Sequence, residues 1–470
     1  MFDFDWDDDA DTRDLDETLR RFRESHRNGE LKASPPSPET LESIVNYCIE
    51  TQKFDDALIF AHLWKESAPY SADAWHKYGI ALSGLGQWPE ALAAYDKAQE
   101  LDPIDTDLLV NKGIALEQSG QLEEAYRLIE NALRSSPDHT EALFSKAMIL
   151  QRWQRHDEAI RLFQYLTRNA TVEREARYEL AFTLEQAGRL AESEAEYQRI
   201  LDVDPFDANA WFNRGVLAST MGAHRRSIRC YDMASAIQPT FTSAWFNLGN
   251  AYATIGKLDL AADAFRQGIA ADNADAGIHY NLATVLEERG LFDQAAEAYT
   301  ATLELDPDNA LALYGRGTCY DAQELFVQAV ADYDAALEVD PTNADVWYAR
   351  ADALYNLRRL EGALESYRIA LEIEPNDIEC RLDLALALAE IGEIRNSLGM
   401  ITSCLEQRPD WADALYAMAK VLGLARELNA AVPYLRRAFA ADPSKRFEFD
   451  MGFEAVVGKH GMDYLQRALL

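Results

Sequence analysis

The sequence predicts an all-α protein, an α-solenoid of helix hairpins, and three observations carry that prediction. A 34-residue pattern steps twelve times from Pro38 to Lys445 without an insertion. Position 32 of the pattern is proline in ten of the twelve units, and position 20 is Ala or Ser in all of them. Apolar residues recur within each unit at helical spacing, never in the alternation of a strand. Units of this kind bury their apolar faces only against neighbours and so form one elongated array, which overrides the three or so domains that 470 residues would otherwise suggest.

Ala72 to Asp105 shows how one unit is built. Trp75, Tyr78, Gly79 and Leu82 fall at i, i+3, i+4 and i+7, a single apolar stripe on a first helix. Gly86 closes that helix, because glycine reaches the left-handed conformation cheaply. Ala91, Tyr95 and Ala98 mark the stripe of a second helix, and Pro103 prevents its continuation. Gly79 and Ala91 are small where the two helices must approach. Ser37, Ser71, Asp105, Asp207, Asp275, Asn309, Asn343 and Asp377 precede unit starts and can each accept from an otherwise orphaned helix amide. Position 24 is aromatic in eight units. The pattern W-x2-Y-G-x2-L, A-x3-Y-x2-A, P resembles the tetratricopeptide repeat.

That resemblance implies a right-handed superhelix whose concave side is lined by the first helices, at positions 2, 5, 6, 9, 12 and 13 of each unit. Position 5 then gives an aromatic column that includes Phe212, Phe246, Tyr280, Tyr314 and Tyr348, and position 6 gives Asn213, Asn247 and Asn281 in three consecutive units. An asparagine amide offers both a donor and an acceptor, so a ladder of them suits the backbone of an extended peptide. This resembles the asparagine ladder of O-linked N-acetylglucosamine transferases. Equally, aromatics and asparagines at these positions can serve packing against the neighbouring unit. The carboxylate clamp that some family members use for chaperone C-termini is absent, since no unit has lysine at position 5.

The six inward columns hold 19 acidic and 3 basic residues, and Glu287, Asp321 and Asp352 are among the acids expected to face a ligand. Part of this excess belongs to position 2, where the helix dipole favours carboxylates. A groove of this sign selects neutral or basic segments. The whole chain carries −35, with 11 lysines among 45 basic residues, so adaptation to a salty cytoplasm also accounts for the acidity. Such a charge disfavours nucleic acid and anionic membranes.

The flanks differ from the array. Residues 1–37 comprise an acidic stretch with nine acids in the first 17 residues, interrupted by Phe2, Phe4 and Trp6, then a short helix over Asp14–Asn28 and a proline-rich linker over Ala33–Pro38. Residues 446–470 read as one or two helices, with Phe447, Phe449, Phe453, Val456 and Val457, closing the open end of the stack. Between units four and five, Thr171 stands where proline is usual, and an irregularity is expected there.

No run of eighteen apolar residues exists, so no membrane insertion is expected, and the start MFDFDWDDD lacks the basic end and apolar segment of a secretory signal. The expected compartment is the cytoplasm. Five scattered cysteines without a CxxC pair fit reduced thiols, and eight dispersed histidines show no metal spacing. No glycine-rich phosphate loop is present. The function expected is therefore non-catalytic and without cofactor: a scaffold binding an extended or helical, neutral-to-basic protein or peptide segment in the concave groove. The alternative is an assembly subunit that docks through its ends or convex face; the sequence leaves the oligomeric state open.

Overall fold

In a computed structural model, the structure describes residues 19–20, 23–24 and 36–469. The acidic stretch 1–17, most of the helix expected over Asp14–Asn28 and the start of the linker lie outside them. Among the described residues the chain is helical and has no strand. It divides into two compact units, Met1–Leu217 and Ala218–Leu470.

The first unit contains α1 (Pro38–Glu50), α2 (Phe54–Ser67), α3 (Ala72–Gly84), α4 (Trp88–Leu101), α5 (Thr106–Gln118), α6 (Leu122–Ser135), α7 (Thr140–Arg152), α8 (His156–Leu166), α9 (Glu173–Gln186) and α10 (Leu190–Val203). The border falls within α11 (Ala208–Thr220). The second unit continues with α12 (His224–Ile237), α13 (Thr242–Thr254), α14 (Leu258–Ala271), α15 (Ala276–Glu288), α16 (Phe292–Leu305), α17 (Ala310–Ala322), α18 (Phe326–Val339), α19 (Ala344–Asn356), α20 (Leu360–Ile373), α21 (Ile378–Glu390), α22 (Ile394–Gln407), α23 (Ala412–Leu424), α24 (Leu428–Ala441) and α25 (Ser444–Leu469).

Odd-numbered helices open a hairpin and even-numbered ones close it. All eight anticipated caps form: Ser71 accepts from the Ala74 amide at 3.2 Å, Asn309 from Ala312 at 3.0 Å, and Asp377 from both Glu379 and Cys380. The turn inside each hairpin places one residue in the left-handed region. Seven hairpins use glycine there, as Gly86 does at φ 71°, but Gln52, Gln154, Glu324, Arg358 and Arg426 adopt the same conformation. A contact the sequence did not announce fixes the other loop. The indole of Trp75, Trp211, Trp245 or Trp347 donates to the carbonyl of the proline six residues earlier, at 2.9–3.0 Å.

The core is a series of clusters, each shared by neighbouring hairpins. Its largest members are the position-24 rings, including Tyr95, Phe163, Tyr231, Phe265, Tyr299, Tyr333 and Tyr367, all fully buried. Space for them comes from the small residues opposite. A Cβ added at Gly79 would stand 2.5 Å from the Tyr95 ring, and one added at Gly317 would stand 2.5 Å from that of Tyr333.

Where proline is missing, α8 has only eleven residues and α9 begins at Glu173 after a tight loop, so the irregularity is local to residues 167–172. Leu19 is buried in the cluster of α1 and α2. At the other end, α25 breaks at Gly458 (φ 75°, ψ 169°) and buries Phe449, Phe453, Val457, Met462 and Leu465. Phe447, expected in that group, is 68% exposed: it lies two residues before Phe449, on the opposite side of the helix. No described helix is long and apolar enough to cross a membrane.

Candidate functional site

Successive first helices touch one another, α13 with α15, α15 with α17 and α17 with α19, whereas second helices pack chiefly on their flanking first helices. The first helices therefore form a layer on which side chains 31 to 35 residues apart become neighbours. Of the residues expected to face a ligand, Phe212 and Asn213 belong to the first unit. Phe246, Asn247, Tyr280, Asn281, Glu287, Tyr314, Asp321, Tyr348 and Asp352 belong to the second.

The aromatic column is half-buried. Each ring packs edge-on or tilted against the position-24 ring of its own hairpin: Phe246 on Phe265 at 6.2 Å, Tyr280 on Tyr299 at 5.8 Å, Tyr314 on Tyr333 at 6.0 Å and Tyr348 on Tyr367 at 6.0 Å. One face of each ring thus belongs to the core and only the remainder is available to a ligand. The asparagines are partly engaged as well. Asn247 donates to the Ser243 carbonyl of its own helix at 2.8 Å, and Asn281 donates to the Asn250 side-chain oxygen at 2.9 Å. The latter contact bridges two first helices.

The carboxylates form the most distinctive arrangement. Glu287 on α15 accepts from the Tyr299 hydroxyl at 2.6 Å and from Thr318 on α17 at 2.7 Å. Asp352 on α19 accepts from the Tyr367 hydroxyl, and Asp383 on α21 accepts from the Tyr348 hydroxyl at 2.6 Å. Asp321 on α17 has a buried carboxylate oxygen, Oδ1, with no hydrogen-bond partner. Among the described residues, none of these four carboxylates forms an ion pair; their partners are neutral hydroxyls or nothing. Other acids nearby behave differently: Asp332 is held by Arg316 at 2.7 Å and Glu390 by Arg358 at 2.8 Å. Asp383 belongs to the acidic columns, yet nothing in the sequence singles it out. Its importance comes from the hydroxyl of Tyr348, 35 residues earlier.

Burial without a counter-charge shifts the three aspartates. Burial raises Asp321 above the usual carboxylate range. It pushes Asp352 up to about 6; the Tyr367 hydrogen bond opposes the shift, and the charges of Asp383 and Asp321 add to it. Asp383 is raised by burial, against the Tyr348 hydrogen bond and with Asp377, Glu379 and Asp413 adding. The partner tyrosines are raised as well, Tyr299, Tyr348 and Tyr367 all chiefly by burial, so they remain hydroxyl donors.

Such a layer can attract cations and accept hydrogen bonds. Among the described residues no group of His, Cys, Asp and Glu has the arrangement of a metal site. The five cysteines are buried, and burial pushes the Cys319 and Cys380 thiols up to about 12, away from nucleophilic use. His76 is lowered by burial and faces the Asn111 amide at 3.0 Å.

Sequence models described as tetratricopeptide repeat match residues 72–105, 110–174, 150–208, 178–234, 242–275, 280–338 and 320–378, more than half of the chain. Among solved structures, YrrB, described as a tetratricopeptide protein with an unusual peptide-binding site, is 23% identical (TM-score 0.37) and covers 39% of this chain and 95% of its own. A MamA structure is 25% identical (TM-score 0.34), covering 35% and 97% respectively. The Cut9–Hcn1 hetero-tetramer of the APC/C is 15% identical (TM-score 0.42), covering 94% and 92%. A comparison with curated proteins finds no match. With its hairpins, its small-residue contacts and these matched spans, the chain belongs to the tetratricopeptide repeat family, whose members are in general scaffolds that bind proteins or peptides.

Proposed function

We propose that the second unit binds a cationic, extended or helical segment of a partner protein along its first-helix layer, and that it does so without catalysis. One observation carries this reading: Glu287, Asp321, Asp352 and Asp383 share that layer without an ion pair among the described residues, although the chain has arginines that it spends on other acids. Unpaired, partly desolvated carboxylates cost stability, and a cationic ligand would offset that cost. The exposed remainders of Tyr280, Tyr314 and Tyr348 supply cation–π and apolar contact, and Asn247 and Asn281 keep side-chain oxygens as acceptors. Phe246 extends the same surface, while Phe212 and Asn213 offer the corresponding positions in the first unit.

The test is the affinity of a short peptide of alternating lysine and alanine, measured by fluorescence anisotropy. Affinity should fall about tenfold or more on raising salt from about 0.05 to 0.5 M. It should fall similarly in Glu287→Gln/Asp321→Asn/Asp352→Asn/Asp383→Asn. It should also weaken as pH drops from about 7.5 to 5, because Asp352, pushed up to about 6, takes up its proton in that window. An acidic peptide binding equally well, or salt-independent affinity, contradicts the proposal.

A further inference from the structure

Position 29 of the repeat changes sign at two adjacent hairpins. It is acidic in seven of the twelve units, as at Glu66, Glu100 and Asp202, and arginine in two consecutive ones, Arg134 and Arg168. Position 22 is arginine in both of these, Arg127 and Arg161. All four lie in the first compact unit, on α6 and on α8 with the turn that follows it. Residues 125–137 and 159–171, the same span of the two hairpins, hold these four arginines and one acid, Glu130, within a chain of net charge −35. α6 buries Ala125, Ile129 and Ala132, and α8 buries Ala159, Ile160, Phe163 and Leu166. The arginines fall on the opposite side of each helix and are exposed; the two of each hairpin are seven residues, or about 10 Å, apart.

None of the four forms an ion pair among the described residues. Nearby acids are engaged elsewhere: Glu130 with Lys146, Glu158 with Arg155 and Asp157 with Arg189. Glu123 and Glu124, one turn before Arg127, make no ion pair with it. The helix dipole favours a cation at Arg134, in the last turn of α6, but gives nothing to Arg127 or Arg161 in mid-helix. Tyr165 lies between Arg161 and Arg168 on the same face, 48% exposed, and its hydroxyl donates to Asp138 at 3.1 Å.

Exposed guanidinium groups beside a tyrosine ring match a ligand that alternates carboxylates with aromatic rings: carboxylates take the forked arginine donors, and rings stack on guanidinium planes and on Tyr165. A long polyanion would overrun the patch onto a surface of its own sign, so nucleic acid and membranes fit it poorly and a short acidic segment fits it well. The chain contains such a segment. Residues 2–9 read Phe-Asp-Phe-Asp-Trp-Asp-Asp-Asp, and the first 17 residues hold nine acids against one arginine. Its attachment lies in the same compact unit: Leu19 is buried in the cluster of α1 and α2, and Arg23 donates to Asp56, in the first turn of α2, at 2.8 Å. Seventeen residues can span up to about 58 Å. Hairpins packed at about 10 Å place α6 and α8, two and three hairpins along, roughly 20–30 Å from α2. A tether of that length holds the segment at millimolar local concentration, which favours the chain's own patch over that of a second copy. We infer that Arg127, Arg134, Arg161 and Arg168 dock the acidic-aromatic segment, residues 1–17, of the same chain.

The full-length chain tests this directly. A photoreactive benzoylphenylalanine in place of Phe4, in an equal mixture of light and heavy isotope-labelled chains at about 1 µM, should crosslink to residues 123–138 and 157–171 of the same-label chain. The yield should fall about tenfold in Arg127→Ser/Arg134→Ser/Arg161→Ser/Arg168→Ser, whose circular dichroism should match the parent because all four side chains are exposed. It should fall as far in Asp3→Asn/Asp5→Asn/Asp7→Asn/Asp8→Asn/Asp9→Asn, which leaves the repeats untouched. Opposite-label crosslinks as frequent as same-label ones overturn the assignment to the same chain. Crosslinks elsewhere, none at all, or an undiminished yield in either variant overturn the docking site. The docking site is equally overturned if these arginines retain anionic vesicles or nucleic acid while no crosslink within the chain forms.

Discussion

Replacing Tyr333 by alanine is expected to cost about 3–5 kcal/mol, the loss for removing a buried aromatic ring. Tyr333 is 1% exposed and belongs to the buried cluster that runs from α17 to α21. Gly317 leaves it the space it occupies, with a would-be Cβ only 2.5 Å away. Because each hairpin is stabilised by its neighbours, the loss should spread along the stack rather than stay at one residue. Hydrogen exchange should show α17 to α20 losing protection first, and chemical denaturation should lose cooperativity. Leu311→Ala, at a side chain 58% exposed on the same α17, should change stability by no more than about 0.5 kcal/mol.

Asp352→Asn is expected to act in the opposite direction. The folded-state pKa of Asp352, about 6, lies above its ordinary 3.8. The proton is thus held more tightly in the folded chain. The stability it contributes is complete below about pH 3.8 and is lost as pH rises through about 6. A difference of about two units at 1.36 kcal/mol each sets an upper bound near 3 kcal/mol at neutral pH. Asparagine can still accept from the Tyr367 hydroxyl but carries no charge. The variant should therefore be more stable than the parent by about 1–3 kcal/mol at pH 7.5, with the advantage vanishing near pH 4; thermal melts across that range decide it. An aspartate retained against stability fits a surface selected for attraction to a cation.

Much of the fold was legible because a constant 34-residue step repeats the same physics. Caps such as Asn343 and Asp377, the small residues facing Tyr95 and Tyr333, and the closing turn at Gly86 are all local rules, and the structure obeys each. The site was less legible. Position 5 alone cannot reveal that Tyr314 spends one face on Tyr333, nor position 6 that the Asn247 amide is taken by its own helix. The pairs that define the acidic layer, Tyr348 with Asp383 and Thr318 with Glu287, join successive first helices 35 and 31 residues apart. Units aligned by position and scanned diagonally for hydroxyls beside acids carry that signal. A column-by-column reading does not. Glu324 and Arg358 in the left-handed turn show the other limit, since they adopt a conformation that the local preference of non-glycine residues opposes.

The central claim, that a cationic segment lies on the first-helix layer of the second unit, is tested most directly by zero-length carbodiimide coupling of the lysine–alanine peptide, followed by mass-spectrometric mapping. Isopeptide bonds are expected at Glu287, Asp321, Asp352 and Asp383, suppressed by salt. Coupling confined to acids of the second helices, or spread evenly over the acidic surface, would contradict it.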